Sequence, residues 1–128
     1  MAPGTHEPSR RPPTELHQEA VARLDALIEA AAGASAELRS YQSALEASRA
    51  PFAAGGSASE VGPLADVATA RSSLNEQLER LDDERCAFRL AVWRLLNADG
   101  MTITDIASAW GVSRQLVSLE LAKTTNPG

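Results

Sequence analysis

The chain of 128 residues offers few side chains for catalysis. Its histidines are His6, in a proline-rich N-terminal stretch, and His17, which continues a helical stripe and reads as a boundary residue. The single cysteine, Cys86, permits no internal disulfide and has no histidine near it in sequence, so it reads as a structural thiol. No Cys/His spacing suits zinc. No glycine-rich phosphate loop is present, and the carboxylates follow helical solvent faces. These residues assign no catalytic, cofactor or metal site, and the chain reads as a non-enzyme.

One constellation does have informative spacing, between Met101 and Ser118. Thr102 followed by Asp105 resembles a capping box, with an acid one carbon shorter than the usual Glu or Gln. Ile106 and Trp110 are four apart and share a helical face. Gly111 can adopt positive φ and stop a helix sharply, and Ser113 can cap a new one at once. Val117 and Leu121 then share that helix's inner face. Two short helices meeting at a three-residue turn with glycine are the geometry of a helix-turn-helix.

In these residues the sequence resembles the bacterial helix-turn-helix regulator superfamily. The match rests on Thr102, Asp105-Ile106-Ala107, Gly111-Val112-Ser113, Arg114-Gln115 and Val117-Ser118, about 20 residues in all. The resemblance implies that small Ala107 lets the two helices cross closely, and that Ile106, Val112 and Val117 form the core between them. It implies a supporting helix from about Arg85 to Asn97, with Leu90, Trp93 and Leu96 facing in. The second short helix would enter the major groove of duplex DNA with its first residues toward the base edges. Arg114 would take guanine through its two-pronged fork and Gln115 would pair with adenine. Thr102, Ser113 and Ser118 would bond phosphate oxygens. Leu119 stands where a polar or basic residue is usual, positioned to touch thymine methyl groups or another chain. Glu120 replaces the usual apolar core residue, with Leu121 as its substitute. Lys123 and Arg114 are opposed by Asp99, Asp105 and Glu120, so phosphate attraction is weak and two copies per site are expected.

The elements that must position this unit follow from periodicity. Residues 1–13 read as a disordered tail, with Arg10 and Arg11 able to reach a minor groove. A first helix is predicted from about Thr14 to Arg49, Thr14 being its cap. Its apolar stripe is Val21, Leu24, Ile28, Ala31, Ser35 and Leu38, continued by Leu45 and Phe52 with Gln42 and Arg49 interrupting it. Pro51 is expected to end it, with residues 51–62 as a loop. Pro63 suits the first turn of a second helix reaching about Asn97. That helix has the stripe Leu64, Val67, Arg71, Leu74, Leu78, Leu81, Arg85, Phe88, Val92 and Leu95. Two helices of near-equal length and one loop predict an antiparallel, coiled-coil-like hairpin. Arg85 and Arg89 are expected to pair with Asp25, Glu29 or other acids of the first helix, the alternative being phosphate.

The fold class expected is therefore all-α. A helical-hairpin arm spans residues 14–84 and a helix-turn-helix domain residues 85–123, followed by a tail at 124–128. Scarce aromatics, 4 % of residues, and abundant alanine agree with it. Net charge −5 confines any nucleic-acid surface to a local patch. No apolar run has the length of a membrane span and the N-terminus has no apolar signal core. A cytoplasmic protein is expected, a homodimer through residues 14–97 acting on double-stranded DNA in the nucleoid. The alternatives are a protein-interaction adaptor working through its helical arm and a nucleoid-associated binder with little sequence preference.

Overall fold

The computed structural model describes residues 13–60 and 62–123. The described chain is all-helical: α1 spans Glu15–Ala53, α2 Pro63–Ala98, α3 Ile103–Trp110 and α4 Arg114–Lys123, with a 3-10 turn at Ala58–Glu60. Of the tails expected at 1–13 and 124–128, residues 1–12 and 124–128 lie outside the described residues. No helix among the described residues is long and apolar enough to cross a membrane. By internal packing the chain divides into two compact units, Leu24–Ala87, and Met1–Arg23 together with Phe88–Gly128.

α1 starts at a reciprocal cap. The Thr14 hydroxyl accepts from the His17 backbone amide at 3.3 Å, while the Thr14 amide donates to His17 Nδ1 at 3.1 Å. His17 thus fills the place usually taken by Glu or Gln. One turn on, Glu19 and Arg23 form an ion pair at 2.8 Å. At the other end the structure corrects the predicted boundary: Pro51 lies inside α1, in its last turn. Its fixed φ suits a helix, and the carbonyl it leaves without a donor belongs to exposed Ala47 and can turn to solvent. The connecting segment therefore begins at Ala54, and Gly55, at φ 82°, turns the chain away.

Within Leu24–Ala87 the two long helices run antiparallel. Gly33 lies against the Gln77 side chain, whereas Leu45, Ser48 and Phe52 line one groove with Leu64 and Val67. Rising numbers in α1 therefore meet falling numbers in α2. The inward face of α1 is not the predicted one. Ala30, Ala34, Ala44 and Ser48 are buried, against Ala70 and Leu74 on α2. The predicted stripe residues Leu24, Ile28, Leu38, Leu45 and Phe52 are exposed, as are Leu78 and Arg71. Small side chains let helix backbones approach closely, and spacing between helices follows the residues at the contact. The absence of a Cβ at Gly33 extends this: a Cβ there would stand 2.6 Å from Gln77 Oε1.

The other unit is built differently. Trp93, Ile106, Ala107 and Val117 form its buried cluster, with Leu96, Met101, Ile103, Val112, Leu116 and Leu121 packed around them. The end of α2, α3 and α4 thus share one core. Within the same unit Leu16 and His17 of α1 line a groove with Leu95 and Ala98 of α2. The sequence carried no sign that the start of α1 belongs with the C-terminal helices.

Candidate nucleic-acid interface

The turns around α3 come from local hydrogen bonding. α2 ends where Gly100, at φ 106°, lets the Met101 amide reach the Leu96 carbonyl at 3.0 Å and its own amide reach Asn97 at 3.1 Å. The Asn97 side chain donates to the Met101 carbonyl at 3.0 Å and braces the same turn. α3 is then capped by Thr102, whose hydroxyl accepts from the Asp105 amide at 3.1 Å. Gly111 repeats the α2 ending: at φ 66° and ψ 34° it is left-handed, the Val112 amide bonds Ala107 at 3.0 Å, and the Gly111 amide bonds Ser108 at 3.3 Å. Both endings are Schellman motifs, which use the free carbonyls of a last turn and favour glycine because it has no Cβ to clash.

α4 begins two residues later. The Ser113 hydroxyl accepts from the Leu116 amide at 3.0 Å, capping the new helix. Val117 is fully buried and Leu121 half-buried, so this side of α4 faces the core with Ile106 and Ala107. The opposite consequence is the useful one. Ser113, Arg114, Gln115, Ser118, Leu119 and Lys123 are all exposed. Arg114 and Ser118 are four apart, as are Gln115 and Leu119, so each pair shares a face of the helix. Thr102 is exposed too, but at the far end of α3 from the turn.

Two of these side chains already have work in the fold. The Thr102 and Ser113 oxygens accept cap bonds, leaving each hydroxyl proton free to donate outward. Lys123 Nζ lies 2.8 Å from Glu120 Oε2, so its charge is largely offset locally. Glu120 is the residue standing where an apolar one was expected. Its carboxylate is mostly covered and Lys123 is the cation that compensates it. Arg114 has no ion-pair partner among the described residues. The exposed surface of α4 thus offers a guanidinium fork, an amide, hydroxyls and an apolar tip, with little net positive charge.

The supporting helix holds a feature that sequence reasoning missed. Arg89 places its guanidinium carbon 4.8 Å from the centre of the Trp93 ring, and Trp93 meets Trp110 edge to face at 5.9 Å and 87°. The ring pair ties the end of α3 to α2, and the cation–π contact holds Arg89 over Trp93 within α2. Arg89 therefore turns to Trp93, and Arg85 pairs with Asp82 on its own helix; neither makes the expected pair with Asp25 or Glu29. The four-residue spacing of Arg89 and Trp93 was the available signal. No group of histidine, cysteine and acidic side chains among the described residues is placed to hold a metal ion.

No protein-family model, curated protein or solved structure matches the chain.

Proposed function

We propose that α3, its turn and α4 are a helix-turn-helix that reads duplex DNA, with α4 in the major groove. The observation that supports this best is the abrupt stop at Gly111 with Ser113 capping α4, which leaves Arg114 and Gln115 exposed on its first turn while Val117 anchors the helix. Recognition helices of this class present their N-terminal residues to base edges. Arg114 bonds a guanine through two parallel contacts and Gln115 an adenine. Ser113, Ser118 and Thr102 donate to phosphates, and Leu119 packs on a thymine methyl. Lys123 adds little, since Glu120 holds it. With so little phosphate-neutralising charge, affinity comes from two linked copies, and occupancy of an operator regulates transcription in the cytoplasm.

The test is selection from a randomised duplex library with the full chain at low salt, followed by Arg114→Ala and Gln115→Ala. A selected motif containing guanine is expected, and Arg114→Ala removes about 1–3 kcal/mol of discrimination at that base. Absence of any enriched motif, or a motif indifferent to both substitutions, sinks the reading. A second reading is favoured by the Glu120–Lys123 pair and exposed Leu119: an adaptor whose tip and arm bind protein. It predicts no DNA binding at any salt concentration. A nucleoid-type binder with no base preference would bind DNA but show no advantage for a selected site over bulk competitor.

A further inference from the structure

The alanine seam of Leu24–Ala87 takes in Leu74 but leaves several large apolar side chains of that unit outside it. None of the large side chains that are fully buried in the described chain (Trp93, Ile106 and Val117) falls in this unit. Ile28, Leu38, Leu45, Phe52 and Leu78 are instead exposed, between 44 % and 57 %. Their positions are ordered. Leu38, Leu45 and Phe52 each follow an inward residue of α1 by one position, and Leu78 follows Gln77 on α2 in the same way. One residue is a rotation of about 100°, roughly a quarter turn. Because the helices are antiparallel, a rotation of the same sense in each brings both outer stripes to the same side of the hairpin. The groove of about 720 Å³ lined by Leu45 and Phe52 of α1 with Leu64 of α2 is on that side. The hairpin thus has one apolar face at right angles to its own seam.

We propose that this face is covered by the same face of a second copy of the chain, completing a four-helix bundle. In such a bundle each helix meets two neighbours about a quarter turn apart, the relation the alanine and leucine stripes have here. A second copy brings an equally unfilled face, and the closed two-fold pairing of one patch with itself buries both. Charge selects the arrangement. Arg71 and Arg85 interrupt the α2 half of the face, whereas the α1 half is bordered by Asp25 and Glu46 as well as by Arg39 and Arg49. Setting α2 against the second copy's α2 would oppose these arginines. Setting α1 against the second copy's α2 brings Arg85 to Asp25. Asp25 lies eight residues before Gly33 and Arg85 eight after Gln77, so the two are level, and exposed Arg85 can exchange Asp82 for the second copy's Asp25. On the same register Arg71 is level with Arg39, so the charge selection rests on Arg85 and Asp25.

Sedimentation velocity on the full chain without DNA tests this independently of the DNA reading, with circular dichroism on every variant. A dimer is expected at about 10 μM, with Leu38→Glu weakening it by about 100-fold and Leu119→Glu leaving it unchanged. Where Leu38→Glu also costs helicity, charge reversal decides. Arg85→Glu weakens the dimer, and adding Asp25→Arg recovers most of the loss. A chain that stays monomeric into the high micromolar range overturns the proposal. So does a dimer indifferent to Leu38→Glu, or a charge reversal that Asp25→Arg does not rescue.

Discussion

The two units bury their interiors by opposite means. Around Trp93 the chain encloses large side chains under short, sharply capped helices, and almost every local signal agrees with the packing. Between α1 and α2 it encloses mainly alanine and serine, with Leu74, and leaves Ile28, Leu38, Leu45, Phe52 and Leu78 exposed. The contrast shows that a short helix with a wide apolar face has one way to pack, whereas a long helix with two stripes has a choice. Hydrophobic stabilisation rises with apolar area buried, at roughly 25 cal/mol per Å². A seam of alanines therefore gives little on this account, and its contribution is close backbone contact.

The largest effect expected from breaking this comparison is at the first core. Trp93→Ala removes the ring that meets Ile106, Trp110 and Arg89, and should cost about 3–5 kcal/mol of stability in a urea titration. A loss below about 1 kcal/mol would mean that the Trp93 cluster is not what holds α3 and α4. Next comes the alanine seam. Ala34→Leu inserts a branched side chain where helices lie closest, and overpacking should cost about 1–3 kcal/mol, read as a lower melting temperature with helicity retained below it. No change there would place Ala34 at a loose contact.

A smaller effect, about 1–2 kcal/mol, is expected for Gly111→Ala, since the left-handed backbone penalises any Cβ although space beside it is open. The same substitution should weaken DNA binding through the altered approach of α4. The smallest expected effect has the opposite sign. Gly33 sits inside α1, and the buried Gln77 Oε1 beside it has no hydrogen-bond partner. Gly33→Ala gains helix propensity of about 1 kcal/mol, and the long Gln77 side chain can swing to solvent. Thermal unfolding should show a modest gain, whereas a loss would show that Gln77 is held in place by the seam.

The candidate site was more legible than the arm that accompanies it. Thr102, Gly111 and Ser113 act within four residues of themselves, through backbone conformation and a single side-chain bond, so their types and spacing sufficed. The exposure of Arg114 and Gln115 followed once Val117 was placed inward, because the helical period then decides the rest. What was missed was Arg89 over Trp93, because an arginine on a helix had acids nearby as obvious partners. Nor could the fate of Lys123 be read: Glu120 needed a compensating charge only because α4 half-covers it.

Sequence alone therefore determined where helices begin and end, since caps, glycines and prolines work through short-range geometry. Pro51 is the exception, tolerated because the carbonyl it leaves without a donor belongs to exposed Ala47. Tertiary structure alone decided which stripe of α1 turns inward. Helical periodicity identifies every stripe on a helix equally, and the apolar one is the natural choice when a helix is considered by itself. Packing is a property of two surfaces, and Ala30, Ala34 and Ala44 win because the facing helix can approach them closely.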